Sequence, residues 1–185
     1  CQRDSFAEEG VSIRAVKRTF AELSGLPMEE VPEPKVIAAI LEGRHPGNQA
    51  AAVEAFRLLG EIAGDAIANA ITLVDGLVVL GGGLTGAWPH FLPTLVAELN
   101  GNLTSLSGRG TISRTELTAF NLEDESHRAS FLKGQVQVVQ IPGSNLNIPY
   151  DPMKRIGVAI SKLGASRAVA LGAYAFALDA LDHER

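Results

Sequence analysis

The stretch LVVLGGGLTG, residues 77–86, governs how the rest of the sequence is interpreted. Four apolar residues that favour a strand run into three consecutive glycines, and residues 81–86 also fit the pattern G-x-G-x-x-G. The stretch predicts a strand over residues 77–80 and a tight turn after it. Glycines at such a turn let backbone N–H groups approach an anion or a flat ring without an intervening Cβ. A nucleotide-binding turn is one interpretation, and a turn that only joins a strand to a helix is the other.

Two common nucleotide motifs do not fit this turn. A dinucleotide-binding fold requires a second strand that ends in Asp or Glu about 20 residues further on. Residues 100–110 read NGNLTSLSGRG, in which we predict no strand and find no acidic residue. A phosphate-binding P-loop requires Gly-Lys-Ser/Thr at its end, and this turn has Thr85 and Gly86 without a lysine.

The segments on both sides of the turn predict helices. Apolar spacing indicates a helix over residues 8–24, a short helix over residues 35–42 and a long helix that Asn48 caps and that runs to about Asp75. The apolar stripe of the long helix consists of Val53, Phe56, Leu59, Ala63, Ile67, Ile71 and Val74. Another helix reaches about Asn100 and carries Pro89 and Pro93 in its first turns. A helix, a strand and a helix in this order predict an α/β fold.

The second half of the sequence is less regular. Residues 101–134 are polar and poorly periodic, and only residues 123–132 predict a short helix. A strand is predicted over residues 136–141 and a loop over residues 142–152. Asp151 and Pro152 predict the start of a helix that ends at Gly164. Lys154 and Arg155 would then lie in its first turns, where positive charge opposes the helix dipole. We therefore expect a partner for them, and acidic side chains across an interface are favoured over ATP phosphates.

The last predicted helix starts near Ser166 and contains a line of small residues. This line comprises Ala168, Gly172, Ala173, Ala175 and Ala177. Because these side chains are short, they would allow another backbone to approach closely. The line therefore predicts a packed helix.

Composition limits the kind of protein. The 185 residues are 46% hydrophobic and 20% charged with a formal net charge of -5, which predicts one soluble globular domain or lobe. No run of Lys and Arg exceeds two residues, so no nucleic-acid partner is expected. The apolar runs are shorter than the roughly 18 residues of a membrane span. The single cysteine, Cys1, fits a reducing cytoplasm, and a first residue other than Met predicts that the chain begins in mid-protein.

Three segments together resemble the C-terminal lobe of the ROK family, which is named for repressors, open reading frames and kinases. They are GEIAGDAIANAITLVD (residues 60–75), GLVVLGGGLTG (residues 76–86) and YDPMKRIGVAISKLGASRAVALGAYAFAL (residues 150–178). The similarity is weak between residues 101 and 134. The family includes bacterial glucokinases and other sugar kinases with the actin-like ATPase fold.

The resemblance implies an α/β chain with the actin-like ATPase (ribonuclease H-like) fold. Residues 1–185 would form the C-terminal, nucleotide-side lobe, with long helices packed on a small sheet and a less regular insertion and loop region over residues 101–150. The site residues implied for the adenosine face of ATP, which carries Mg²⁺, are Gly81, Gly82, Gly83, Leu84 and Thr85. Asp4 corresponds to an acidic residue that contacts sugar hydroxyls. The pattern Ser5-x-x-Glu8 is also a capping box, and we favour capping for this segment.

Two departures from the family pattern limit what this chain can do alone. Many ROK proteins hold a structural zinc ion with a cysteine cluster and a histidine, and one cysteine cannot build that site, so no zinc is expected. The family's Asp-x-Gly-x-Thr phosphate loop and its catalytic Asp belong to the N-terminal lobe and have no match here. We therefore expect no catalytic residue in this chain and an inactive fragment without the missing N-terminal lobe.

The implied function is that of the C-terminal ATP-binding lobe of an ATP-dependent hexose kinase of the glucose type. The resemblance also implies a cytoplasmic homodimer. A sugar-responsive transcriptional regulator without catalysis is one alternative. A structural dimerisation lobe is the other, and the small residues of the last helix and an exposed aromatic pair, Trp88 and Phe91, favour it.

The remaining polar residues give weaker indications. The four histidines are scattered and predict no metal site. His90 and Trp88 lie one turn beyond the glycines, where a side chain could flank a purine, although packing is the favoured role of Trp88. Residues 121–127, NLEDESH, are interpreted as a solvated acidic face.

Overall fold

The computed structural model describes residues 8–74, 76–105, 108 and 110–183. Cys1, Asp4 and Ser5 lie outside the described residues, so the sugar contact and the capping box both stay predictions. The long helix that was predicted to run to about Asp75 ends at Ile71, and Asp75 itself lies outside the described residues.

The first half of the described chain is helical. Its helices are α1 (Glu8–Val11), α2 (Ile13–Ser24), α3 (Pro34–Leu41) and α4 (Gln49–Ile71), with a 3₁₀ turn at Met28–Glu30. The predicted helix over residues 8–24 is interrupted at Ser12, whose hydroxyl accepts a hydrogen bond from the Ala15 N–H and caps α2. The predicted cap at Asn48 is confirmed, because its side chain accepts from the Ala51 N–H at 3.1 Å.

The second half alternates strands and helices. It contains β1 (Val78–Leu80), a 3₁₀ turn (Thr85–Ala87), α5 (Trp88–Leu99), β2 (Asn102–Thr104), β3 (Thr111–Ser113), β4 (Thr118–Asn121), α6 (Glu125–Lys133), β5 (Gln137–Gln140), β6 (Asn147–Tyr150), β7 (Arg155–Ile160) and α7 (Ala165–His183). The predictions of β1, α5, α6, β5 and α7 are confirmed. The strands β2, β3, β4 and β6 were not predicted, and β2 lies in the stretch in which we expected no strand.

A three-stranded parallel sheet organises this half. Its order is β1-β7-β4, with Leu80 opposite Ile160 and Asn121 opposite Val158. Because the strands are parallel, the ends of β1, β7 and β4 meet at one edge, which we call the carboxyl edge. The middle strand, β7, has no exposed residue, and its Val158 is fully shielded from solvent.

The predicted helix from Pro152 to Gly164 is wrong, because β7 occupies most of that segment. The carboxylate of Asp151 does not cap a helix; it accepts from the N–H groups of Gln135 and Met153 and pairs with Arg155. Alternate apolar residues of β7 face the core instead, and the strand is hydrogen-bonded on both sides. Lys154 and Arg155 have acidic partners within the chain and not across an interface, since Lys154 pairs with Glu116 at 2.5 Å and Arg155 pairs with Asp151.

This role of Asp151 predicts a pH-dependent effect of Asp151→Asn. Arg155, followed by the Met153 N–H, holds the pKa of the Asp151 carboxyl below its usual value of 3.8. A carboxyl with a lowered native pKa stabilises the fold above its unfolded pKa, and this stabilisation is lost as the pH falls through the native pKa. We expect the variant to unfold at lower denaturant concentration than wild type at pH 7, and the difference to shrink towards pH 3. A difference that does not depend on pH in denaturant titrations would contradict the ion-pair role.

The core lies between α4, α5, the helices before them and the parallel sheet. Phe56, Leu92, Leu95 and Leu99 are fully buried, whereas Val53, which we placed on the apolar stripe, is 47% exposed. The prediction that Trp88 and Phe91 form an exposed pair was also wrong, because Phe91 is buried and Trp88 is half-buried against the core.

Two glycines permit the close contact between α4 and α5. A Cβ at Gly60 would lie 2.5 Å from the carbonyl oxygen of Phe91, and one at Gly64 would lie 2.9 Å from that of Leu95. Both separations are far shorter than a real contact, so the two backbones touch only because these side chains are absent.

Helix α7 and the β5–β6 hairpin expose apolar side chains. On α7 the large ones are Val169, Leu171, Tyr174, Phe176, Leu178 and Leu181, each more than half exposed. The small residues of α7 are exposed too, so the packed helix that they predict has no partner among the described residues. In the part of the chain that the structure describes, no helix has the length and hydropathy needed to cross a bilayer.

Candidate functional site

The glycine turn lies at the carboxyl edge, directly after β1. Gly82 has φ of 107°, a left-handed conformation that favours glycine. The Thr85 hydroxyl donates to the carbonyl oxygen of Gly82 at 2.8 Å, and the Thr85 N–H donates to the same oxygen at 3.3 Å. These bonds fix the turn before the chain enters α5.

The other glycines of the turn are not required by the fold. A Cβ at Gly81 or Gly86 would meet no atom within 4 Å, and one at Gly83 would meet only a methyl of Ile13 at 3.4 Å. None of the three has a positive φ. A simple strand-to-helix turn therefore accounts for Gly82 alone, and the space beside Gly81 stays open.

A cavity of about 260 Å³ opens beside this turn. Leu80, Gly81, Leu84 and Thr85 form one wall, and α4, α5 and Val11 form the rest. Apart from the hydroxyl of Thr85, the side chains of this lining are apolar. Ligand pockets generally measure about 300–1,000 Å³, so this one suits a flat ring better than a whole nucleotide.

The structure brings some of the predicted site residues to the cavity and leaves others away from it. Gly81, Leu84 and Thr85 line it, whereas Gly82 and Gly83 do not. His90 is not in the lining either. Its Nε2 lies 2.8 Å from Oε1 of Glu42, and its ring packs 5.8 Å from that of Phe56.

The same edge holds an ion pair that the sequence did not reveal. Glu123 follows β4, and its side chain is only 11% exposed, although its segment was interpreted as a solvated face. Its carboxylate accepts from the Ile160 N–H at 3.0 Å and from Nζ of Lys162 at 2.6 Å. Lys162 and then the Ile160 N–H lower the pKa of Glu123. Only the pairing of β4 with β7 brings these groups together, so no local pattern could have indicated them.

No group of three His, Cys, Asp or Glu residues within the described ranges is arranged to hold a metal ion.

One solved structure matches almost the whole chain. It is the crystal structure of a glucokinase from Parabacteroides distasonis ATCC 8503, with a TM-score of 0.81 and 48% sequence identity. The match covers 94% of this chain and 46% of the glucokinase chain, so this chain spans about half the length of that protein. No protein-family model and no curated protein matches the chain.

The 48% identity means that the two proteins are similar in sequence as well as in fold. The chain is glucokinase-like over nearly all its length, and its mixed α/β architecture with a parallel sheet is similar to that of the matched structure.

Proposed function

We propose that this chain is the C-terminal, nucleotide-side lobe of an ATP-dependent hexose kinase of the ROK type. The intact enzyme would transfer the γ-phosphoryl group of ATP to a sugar hydroxyl. The observation that carries this proposal is the open space beside Gly81 at the carboxyl edge of a parallel sheet, where α/β proteins commonly bind ligands.

The cavity beside the turn would take the adenine ring. Its apolar walls, formed by Leu80, Leu84 and residues of α4 and α5, suit the two faces of a purine. The bare main chain at Gly81 would let the base or the ribose lie against it, while Thr85 keeps the turn in shape through its bonds to Gly82. This chain would thus hold and orient the nucleoside.

The chemistry of transfer would come from elsewhere in the intact protein. Phosphoryl transfer requires Mg²⁺ on the phosphates and a carboxylate that orients and deprotonates the attacking hydroxyl. The cavity lining within the described residues contains no carboxylate. A second lobe that supplies these groups agrees with the match to less than half of a glucokinase chain. Asp4 stays a predicted sugar contact.

Helix α7 supports the existence of that second lobe. A helix with apolar residues on opposite faces is normally buried on both. Val169 and Phe176 lie on one face of α7, and Leu171 and Leu178 on the other, and all four are more than half exposed. We infer that the missing lobe covers this helix. The homodimer and the cytoplasmic location stay predictions.

The proposal is tested on the full-length gene product that contains this chain. We expect calorimetry to detect binding of Mg-ATP, and a coupled assay to detect ADP release that depends on glucose or another hexose. Binding of a sugar without ADP release would favour the regulator, and absence of both nucleotide binding and ADP release would refute the kinase.

A further inference from the structure

The loop after β7 lies beside the glycine turn. The N–H of Ser161 donates to the carbonyl oxygen of Leu80 at 2.8 Å, so the chain leaves β7 directly next to Gly81. Lys162 is the next residue. Its side chain therefore starts at the carboxyl edge, one strand away from the turn, and extends to Glu123 on the β4 side of β7.

Glu123 fixes the position of this lysine. One carboxylate oxygen accepts from the Ile160 N–H, and the other accepts from Nζ of Lys162. The turn that carries Glu123 is itself fixed, because Oδ1 of the buried Asn121 accepts from the Glu123 N–H at 3.0 Å. The acceptor is thus held by two strands of the sheet, and it holds the lysine in turn.

The ammonium group of Lys162 keeps donors available. The side chain is 79% exposed, and its bond to Glu123 uses one of its three donors. Lys154 offers a comparison at the opposite end of β7. Its partner Glu116 is 82% exposed, whereas Glu123 is 11% exposed, so only Lys162 has a fixed partner.

We propose that Lys162 binds a phosphate group of the nucleotide and that Glu123 is the residue that positions it. This inference rests on the proposed function, since it concerns the same nucleotide. An ammonium group is a strong donor to phosphate oxygens. The carboxylate of Glu123 would keep the lysine side chain near the edge before the nucleotide arrives, which lowers the entropic cost of ordering it on binding.

The test compares Mg-ATP with adenosine, which lacks phosphates, by calorimetry on the full-length gene product. We expect Lys162→Met to weaken Mg-ATP binding about tenfold and to leave adenosine binding unchanged. Lys154→Met is the matched control, since it removes an exposed, Glu-paired lysine from the other end of the same strand, and it should change neither affinity.

Glu123→Gln tests the positioning role. We expect it to weaken Mg-ATP binding less than Lys162→Met does. The double variant should match Lys162→Met alone, because Glu123 acts on the phosphate only through Lys162. If Glu123→Gln does not fold, the two lysine variants still decide the question.

The outcomes separate this inference from the proposed function. Wild-type protein that binds neither ligand overturns both. Wild-type binding of Mg-ATP that Lys162→Met leaves intact, or a loss of adenosine binding equal to that of Mg-ATP, overturns the role of Lys162 alone.

Discussion

Replacement of Gly60 by valine is expected to lower the free energy of unfolding by about 3 kcal/mol. The first added carbon would lie 2.5 Å from the Phe91 carbonyl oxygen and 2.9 Å from Cβ of Thr94, and two more methyl groups would follow. A backbone carbonyl in a helix cannot rotate away as a side chain can. Helices α4 and α5 would therefore have to separate and expose the core between them.

Denaturant titration measures this effect, and Ala70→Val is the control. Ala70 lies on the same helix at an exposed position, so valine there costs only its lower helix propensity, below about 1 kcal/mol. Equal effects of the two substitutions would contradict the close approach of α4 and α5 at Gly60.

Gly81→Val is expected to weaken nucleotide binding strongly without loss of stability. The position has an ordinary φ and no atom within 4 Å of the new Cβ, so the protein should unfold at the same denaturant concentration as wild type. The valine side chain would stand in the space that the proposal assigns to the nucleoside. We expect the affinity for Mg-ATP to fall about 100-fold, which corresponds to a steric cost near 3 kcal/mol.

Gly76→Val is the matched control for that substitution. Gly76 lies just before β1, also has no atom within 4 Å of an added Cβ, and is not part of the cavity beside the turn. It should bind Mg-ATP as wild type does. Unchanged binding by Gly81→Val would remove the turn from the nucleotide site.

The helices were predictable because their signals are local. The 3.6-residue spacing of Phe56 and Leu59 and the cap at Asn48 lie within one segment, and the structure confirms both. The strand β7 was not predictable in this way. Its apolar run, residues 156–160, is too short for its spacing to distinguish a strand from a helix, and the preceding Asp151 and Pro152 resemble a helix start. Only the hydrogen bonds to β1 and β4 on both sides make it a strand.

For the candidate site too, the sequence indicated some features and not others. The three glycines mark the turn in the sequence, but nothing local shows that only Gly82 needs a left-handed conformation. Glu123 could not be recognised as a shielded residue, because its acceptor role depends on Ile160, 37 positions further along the chain. Long-range pairing, which single-sequence patterns do not report, decides the position of Glu123.

The strand order β1-β7-β4 has a consequence for the synthesis of the protein. Among the described strands, β1 and β4 each pair only with β7, which ends at Ile160, so a nascent chain shorter than that has no completed parallel sheet. Helices α2 to α5 can pack against each other well before the ribosome reaches that point, since their contacts are close in sequence. Until β7 is synthesised, the edges of β1 and β4 would stay unpaired, and unpaired strand edges make a growing chain prone to aggregation.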